Sequence, residues 1–317
     1  GLPNDSFNDD PLRMMRAARF ASQLDFEIEP AVLASIKELA HRISIISAER
    51  VRDEFTKILM SNNPRKGITL LVDTGLADLV LPEIPKLRLE VDEHHHHKDV
   101  YEHSITVLEQ AIEHEDRLGG PNLVIRLAAL LHDIGKPKTR KFEVEGRASF
   151  HHHEVVGARM TRERMKIMKY PTDDIDAVSE LVAISGRFHT YQMGWTDSAV
   201  RRYVRDAGDV LTELNVLVRC DCTTRSERKV DALNLRMTEL EERIDELAQK
   251  EELAALRPEL DGTAVMEHLG ITPGRAVGEA MDFLMGRRYL LILFFVELRN
   301  NKYHHRLYRH HDWISVN

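Results

Sequence analysis

Apolar residues recur at steps of three and four along most of this chain, and no segment of any length alternates with a period of two. That periodicity restricts the fold to packed helices and makes the architecture all-α. Val100, His103, Val107 and Ala111 step by three, four and four, so His103 lies on the apolar face of its helix. Leu211, Leu214, Val218 and Asp221 step by three, four and three, which turns Asp221 inward as well. From Val230 to Glu252 the positions Leu233, Met237, Leu240, Ile244 and Leu247 form a heptad stripe, too short for a coiled coil and suited to an amphipathic helix on the body or a partner.

The ends of the helices are also written in the sequence. Asn8, Asp9 and Asp10 offer N-caps, with Pro11 at a first helical position and Leu12, Met15, Ala18 and Phe20 as partly periodic apolar positions. Further helices are expected from Pro30 to His41, from Ser47 as a cap, from Gly67 to Thr74 before Gly75, and from Ala199 to Asp206 behind a Thr196-Asp197 cap, with Arg201, Arg202 and Arg205 outward. Asp261-Gly262 opens a short helix that closes at Gly270, and Pro273 opens another.

At 317 residues the chain holds two domains or three small ones. A net charge of -8 argues against a uniformly basic nucleic-acid coat, while leaving room for a local basic groove. The two cysteines, Cys220 and Cys222, are too close for a disulfide framework, which fits a reducing compartment and a cytoplasmic location. The longest apolar run, Leu290 to Val296, is far short of the ~20 residues a membrane helix needs, so no membrane is expected. The chain begins at Gly1 with no leader, and this start reads as the middle of something longer.

The chemistry concentrates in the centre. Leu127-Ala128-Ala129-Leu130-Leu131-His132-Asp133-Ile134-Gly135-Lys136 ends an apolar segment on adjacent imidazole and carboxylate groups, and Gly135-Lys136 reads as a helix stop. A buried carboxylate must neutralise or find a cation. His103, His132, Asp133 and Asp221 therefore form a candidate divalent-metal set of two nitrogens and two oxygens. With no thiolate, such a set suits Mg, Mn, Ni or Fe better than a structural zinc, and it points to metal-dependent phosphate chemistry. His153 and His189 are candidates for a second metal or for phosphate contact. Lys136, Lys138, Arg140 and Lys141 follow the pair and either hold a phosphorylated ligand or form a solvated loop. The four histidines His94 to His97 read as part of a solvated loop, with metal ligation the alternative.

These residues carry a family resemblance. Tyr101-Glu102-His103, then Arg126 to Pro137, then Asp221 resembles the HD superfamily of metal-dependent phosphohydrolases. Asp9-Asp10-Pro11-Leu12-Arg13-Met14-Met15-Arg16-Ala17-Ala18-Arg19-Phe20 is similar to the neck of bacterial CCA-adding tRNA nucleotidyltransferases and their poly(A) polymerase relatives. Glu49 to Glu54 resembles the next family element, and Arg219 to Arg225 the actinobacterial branch. The likeness covers roughly residues 4 to 285.

The composition and pattern divide the chain at 1–82, a polar linker over 83–99, 100–228, 229–285 and an atypical basic extension over 286–317; the likeness makes the first segment a neck and body, the third an HD domain and the fourth a helical tail. It implies that Asp10 and Arg13, with Arg16 nearby, select the incoming CTP or ATP base, and that His132 and Asp133 lie at the catalytic centre of a phosphohydrolase. The implied partners are a tRNA or other RNA 3′ end and CTP or ATP; the implied cofactor is Mg, Mn or Ni. The family's polymerase head should precede Gly1, so nucleotidyl transfer is not expected from this chain alone. Ser185 stands where the family pattern has a histidine, just before Gly186-Arg187-Phe188-His189. The tail after Met285 departs from the family's ending and reads as a foreign extension, or else as a basic RNA-binding tail. Two other readings remain open: an independent HD nucleotide phosphohydrolase on a helical scaffold, and a non-catalytic helical RNA-binding module.

Overall fold

The computed structural model describes residues 2–88, 99–142, 148–188, 195–223, 226–255, 262–270, 272–281 and 283. The chain forms two compact units, residues 1–242 and 243–317. In the first unit, helices α1 (Pro3–Asp9), α2 (Leu12–Leu24), α3 (Pro30–Leu39), α4 (Ala48–Leu59), α5 (Pro64–Asp73) and α6 (Leu76–Val80) pack together. Then come α7 (Val100–Glu113), α8 (Leu123–Leu131), the one-turn α9 (Lys136–Thr139), α10 (His153–Ile167), α11 (Thr172–Ile184), α12 (Asp197–Ala207) and α13 (Leu211–Cys220). The long α14 (Glu227–Ala255) crosses the boundary between the units, and α15 (Gly262–Leu269) follows. Strand structure among the described residues is one antiparallel pair, β1 (Lys141–Phe142) with β2 (Ala148–Ser149). The all-α expectation holds.

Helix α8 explains where the centre lies. Leu127 through Leu131 are at most 1% exposed. A helix that is apolar all round must be enclosed by others, and α7, α11, α13 and α4 pack on it. The chain emerges from α8 directly into His132 and Asp133, at 3% and 1% exposure.

The first helices are joined to this layer by buried polar groups. Arg126 lies inside α8, its Nε and one terminal nitrogen donating to the two oxygens of Glu115 at 2.6 and 2.7 Å. Its other terminal nitrogen donates to the carbonyls of Leu59 and Ser61, both at 2.9 Å, at the end of α4. Every contact of that guanidinium is thus bidentate or charge-assisted. Arg65 of α5 grips Glu109 and Glu102 of α7, and Arg164 of α10 grips Glu83. Arg219 of α13 reaches Glu241 of α14 at 2.7 Å.

Several local expectations need correcting. Asn8 and Asp9 lie inside α1, a helix the pattern did not announce. Pro11 occupies the N-cap of α2 and not its first turn, and the side chain that caps there is Asp10, accepting from the Leu12 amide at 3.2 Å. Phe20 is 44% exposed, whereas Met14 is fully buried, because the buried face of α2 runs through Leu12, Met15, Ala18 and Ser22 with Met14 beside it. Ser47 stands at the N-cap of α4 without a side-chain cap bond. Gly135 is not a left-handed helix stop: α8 ends at Leu131, and Gly135 has φ -76°. In the stretch expected as a linker, Ile84 and Leu87 are buried. The four-histidine run at 94–97 and the extension over 286–317 lie outside the described residues. In α14, Met237, Leu240 and Leu247 of the heptad stripe are buried.

Candidate metal centre

Each member of the cluster is delivered by a helix end or a helix face. Asp99 accepts from the Tyr101 amide at 2.9 Å and starts α7, which places His103 on its first full turn. His132 is the C-cap of α8, and Asp221 the C-cap of α13. Asp133 begins the turn between α8 and α9, whose Lys136 amide donates back to the Asp133 carbonyl at 2.9 Å.

The side chains converge. His103 Nε2 lies 3.0 Å from Asp221 Oδ1 and 3.6 Å from Asp133 Oδ2. His132 Nε2 lies 3.4 Å from Asp133 Oδ2, 3.5 Å from Asp221 Oδ1 and 3.3 Å from His103 Nε2. One donor atom each from His103, His132 and Asp221 falls within 4.8 Å of the others. Both rings are held from behind: His132 Nδ1 donates to the Ala129 carbonyl at 2.9 Å, and His103 Nδ1 bonds the Thr223 hydroxyl at 2.9 Å. That support fixes each ring with Nε2 toward the carboxylates, the orientation metal-ligating imidazoles need.

His153 stands at the edge of the group. It opens α10, its Nδ1 bonds the Phe150 carbonyl at 2.8 Å, and its Nε2 faces Asp133 Oδ1 at 3.4 Å. Gly135 makes this approach possible: a Cβ there would lie 2.1 Å from the His153 carbonyl oxygen and 2.7 Å from the Gly157 amide nitrogen. Lys136 Nζ sits 2.6 Å from Asp133 Oδ2, the oxygen that also faces both imidazoles. A lysine ammonium therefore already occupies part of the cation-seeking side of Asp133, which is what a site built for positive charge should attract.

The electrostatics agree. Burial pushes the His132 imidazole down, but the carboxylates of Asp133 and Asp221 outweigh it and lift the group to about 10. Burial would raise Asp133, yet His132, His153 and Lys136 hold it well below the usual carboxylate range. Burial acts on Asp221 in the same upward sense, and His103 and His132 overcome it. Two anions and a protonated ring share one pocket, and a divalent cation fits this donor set in place of that proton.

The other expected site residues fall elsewhere. Asp10 pairs with Arg50 at 3.4 Å, while Arg13 donates to the carbonyl and hydroxyl of Ser6 at 3.1 and 3.0 Å. Arg16 leans toward buried Glu54 at 3.9 Å, which Arg19 holds at 3.0 Å. Asp10 stands just ahead of α2, with Arg13 and Arg16 on its first turns, and each is engaged with a different partner. His189 lies outside the described residues. Ser185, at the position where a histidine was expected, is buried and donates to the Val182 carbonyl at 3.1 Å. Thr223 was not foreseen as a support for His103; its place two residues beyond Asp221 was the one available signal.

Helices closing on two imidazoles and two carboxylates define an HD-type protein, and comparison with known proteins agrees. The HD-domain family matches residues 100–254, and the family described as the probable RNA and SrmB-binding site of polymerase A matches residues 25–87. An A-adding tRNA nucleotidyltransferase of Deinococcus radiodurans is 35% identical over 300 residues, covering 91% of this chain and 66% of that protein. A CC-adding tRNA nucleotidyltransferase of Thermus thermophilus is 32% identical over 288 residues, covering 87% and 62%. The crystal structure of the Bacillus stearothermophilus CCA-adding enzyme in complex with CTP shares the fold, with a TM-score of 0.52 at 21% identity over 95% of this chain and 66% of that one. The chain belongs to the HD-domain-containing tRNA nucleotidyltransferase family, and it spans about two thirds or less of the length of these relatives. Among the described residues no helix is long and apolar enough to cross a membrane.

Proposed function

We propose that this chain is the neck, body and HD portion of a CCA-adding or poly(A)-polymerase-type enzyme that works on tRNA 3′ ends in the cytoplasm. Its HD cluster is a metal-dependent phosphohydrolase centre for cyclic or terminal phosphates on RNA or nucleotides. The observation that carries this reading is the convergence of His103, His132, Asp133 and Asp221 with both Nε2 atoms turned to the carboxylates. Those four would hold one Mg, Mn or Ni ion. When bound, the ion would neutralise phosphoryl charge and make water a better nucleophile.

The chain's own groups divide the remaining work. Asp133 and His132 form the catalytic centre, kept rigid by Ala129 and by the burial of α8. His153 faces the outer oxygen of Asp133, where it contacts phosphate or a second metal. Lys136, Lys138, Arg140 and Lys141 line the segment that leaves the centre and supply positive charge to a phosphorylated substrate. In the neck, Asp10, Arg13 and Arg16 select CTP or ATP: a carboxylate accepts from a base amino group, and a guanidinium donates to ring acceptors. The test is hydrolysis of a 2′,3′-cyclic nucleotide with Mg, Mn or Ni. The parent chain should turn it over and Asp133→Ala should not; equal rates remove the hydrolase assignment.

One observation favours a second reading, an HD phosphohydrolase on a scaffold neck. One oxygen of Asp10 already pairs with Arg50, and one terminal nitrogen of Arg13 already bonds Ser6. On that reading, calorimetry finds CTP or ATP binding unchanged in Asp10→Ala.

A further inference from the structure

Helix α12 carries a feature that the metal centre does not use. A cavity of about 230 Å³ opens beside it, lined by Arg187, Trp195, Ala199, Arg202 and Tyr203. The Trp195 and Tyr203 rings meet at 5.2 Å between centroids with an interplanar angle of 53°, so they form two walls of a wedge and not a closed stack. Tyr203 is 3% exposed and its hydroxyl donates to Asn215 of α13 at 2.8 Å, which makes it a fixed wall. Trp195 is half-buried, just ahead of the Thr196 cap that starts α12.

The rim is basic. Arg187 pairs with Asp206, and Arg205 lies 3.6 Å from the same carboxylate. Arg201, Arg202 and Arg205 are exposed on the outer face of α12. Four arginines thus stand against the two aspartates of α12 in a chain whose net charge is -8. Asn215 sits six positions before Asp221 on α13, about 9 Å along the helix axis at ~1.5 Å per residue. The cavity is therefore separate from the metal cluster but on the same structural rib.

An aromatic wedge rimmed by guanidinium groups matches one ligand chemistry closely. Unpaired bases in single-stranded nucleic acid stack on aromatic faces and arginine planes while cationic side chains track the phosphates. We propose that the Trp195–Tyr203 cavity accepts one unstacked base of a single-stranded RNA, with Arg202 on its rim and Arg201 and Arg205 meeting the adjoining phosphates. This deepens the RNA-processing reading above by naming a contact site for it, and it needs no metal.

The test uses the full chain with chelator present, so its outcome does not depend on the hydrolase assignment. The sequence has two tryptophans, Trp195 and Trp313, so Trp313→Phe leaves Trp195 as the sole reporter. Titration with an adenosine RNA hexanucleotide should quench that emission saturably. Anisotropy of a labelled hexanucleotide should show about tenfold weaker binding for Trp195→Ala, the loss of one base–aromatic stack, with partial rescue by Trp195→Phe. Arg202→Gln, an exposed change that spares the fold, should weaken binding and flatten its salt dependence by about one phosphate contact. The proposal is overturned if the RNA binds without changing Trp195 emission, or if an abasic hexanucleotide binds as tightly. Equal displacement by an oligoglutamate peptide would overturn it too, since the arginines would then be a general anion surface.

Discussion

Replacing Gly135 by alanine tests how the centre is assembled more cleanly than removing a ligand. The backbone at Gly135, φ -76° and ψ -21°, suits any residue, so alanine adds no conformational strain. The three atoms nearest the new methyl are all main-chain: the His153 carbonyl oxygen at 2.1 Å, the Gly157 amide nitrogen at 2.7 Å and the His153 carbonyl carbon at 2.9 Å. Ordinary contact begins at 3.4 Å, so the start of α10 must retreat by about 1.3 Å, the difference between 3.4 and 2.1 Å. Overpacking of this kind costs about 1–3 kcal/mol, and rigid backbone on both sides puts Gly135→Ala in the upper half of that range. Urea unfolding followed by circular dichroism should show the midpoint fall with little change in slope. The same retreat pulls His153 off Asp133, so hydrolysis should fall further than stability alone explains. Gly157→Ala is the control: its nearest contacts, at 3.3 Å, need a give of only 0.1 Å, and its effect should be far smaller. If Gly135→Ala unfolds within about 0.5 kcal/mol of the parent, the close seating of α10 on the turn after Asp133 is wrong.

Other consequences follow from the same geometry. Arg126→Ala should destabilise the chain by about 3–5 kcal/mol in the same unfolding assay, because Glu115 is left buried and charged without its partner. Thr223→Val removes the support behind His103 and should weaken Mn binding by about 10- to 100-fold in calorimetry, with the fold unchanged by circular dichroism. In the metal-free protein His132 is raised to about 10, so its contribution to stability is complete below about 6.5 and is lost as the pH rises through about 10. Asp133 and Asp221 are lowered, so theirs is present above the ordinary value of 3.8 and is lost as the pH falls. Metal binding must displace the His132 proton, so affinity should rise about tenfold per pH unit between roughly pH 7 and 9, with about one proton released per ion in calorimetry across buffers.

Much of this centre was legible in the sequence because helical spacing fixes direction. His103 and Asp221 fell on apolar steps, and an apolar helix ending in His132-Asp133 had to leave both at the core. The rest depended on approaches between residues distant in sequence, which periodicity does not encode. Arg126 entered the sequence reading only as the start of the HD-like segment, and its carbonyl partners are Leu59 and Ser61, more than sixty residues away. Gly135 read as a helix stop because its reason, the His153 backbone, lies eighteen residues on. The acidic-acidic-x-x-Arg pattern of the neck was legible as a motif, but the pairing of Asp10 with Arg50 and of Arg13 with Ser6 was not, since α1 was itself unseen.

The most direct test of the central claim is metal stoichiometry. After loading with Mn and gel filtration, elemental analysis of the parent chain should find one ion per chain, and Asp221→Ala, folded by circular dichroism, should retain well under half. A parent value far below one, or an Asp221→Ala protein that keeps its full ion, would contradict the claim that these four side chains form one cation site.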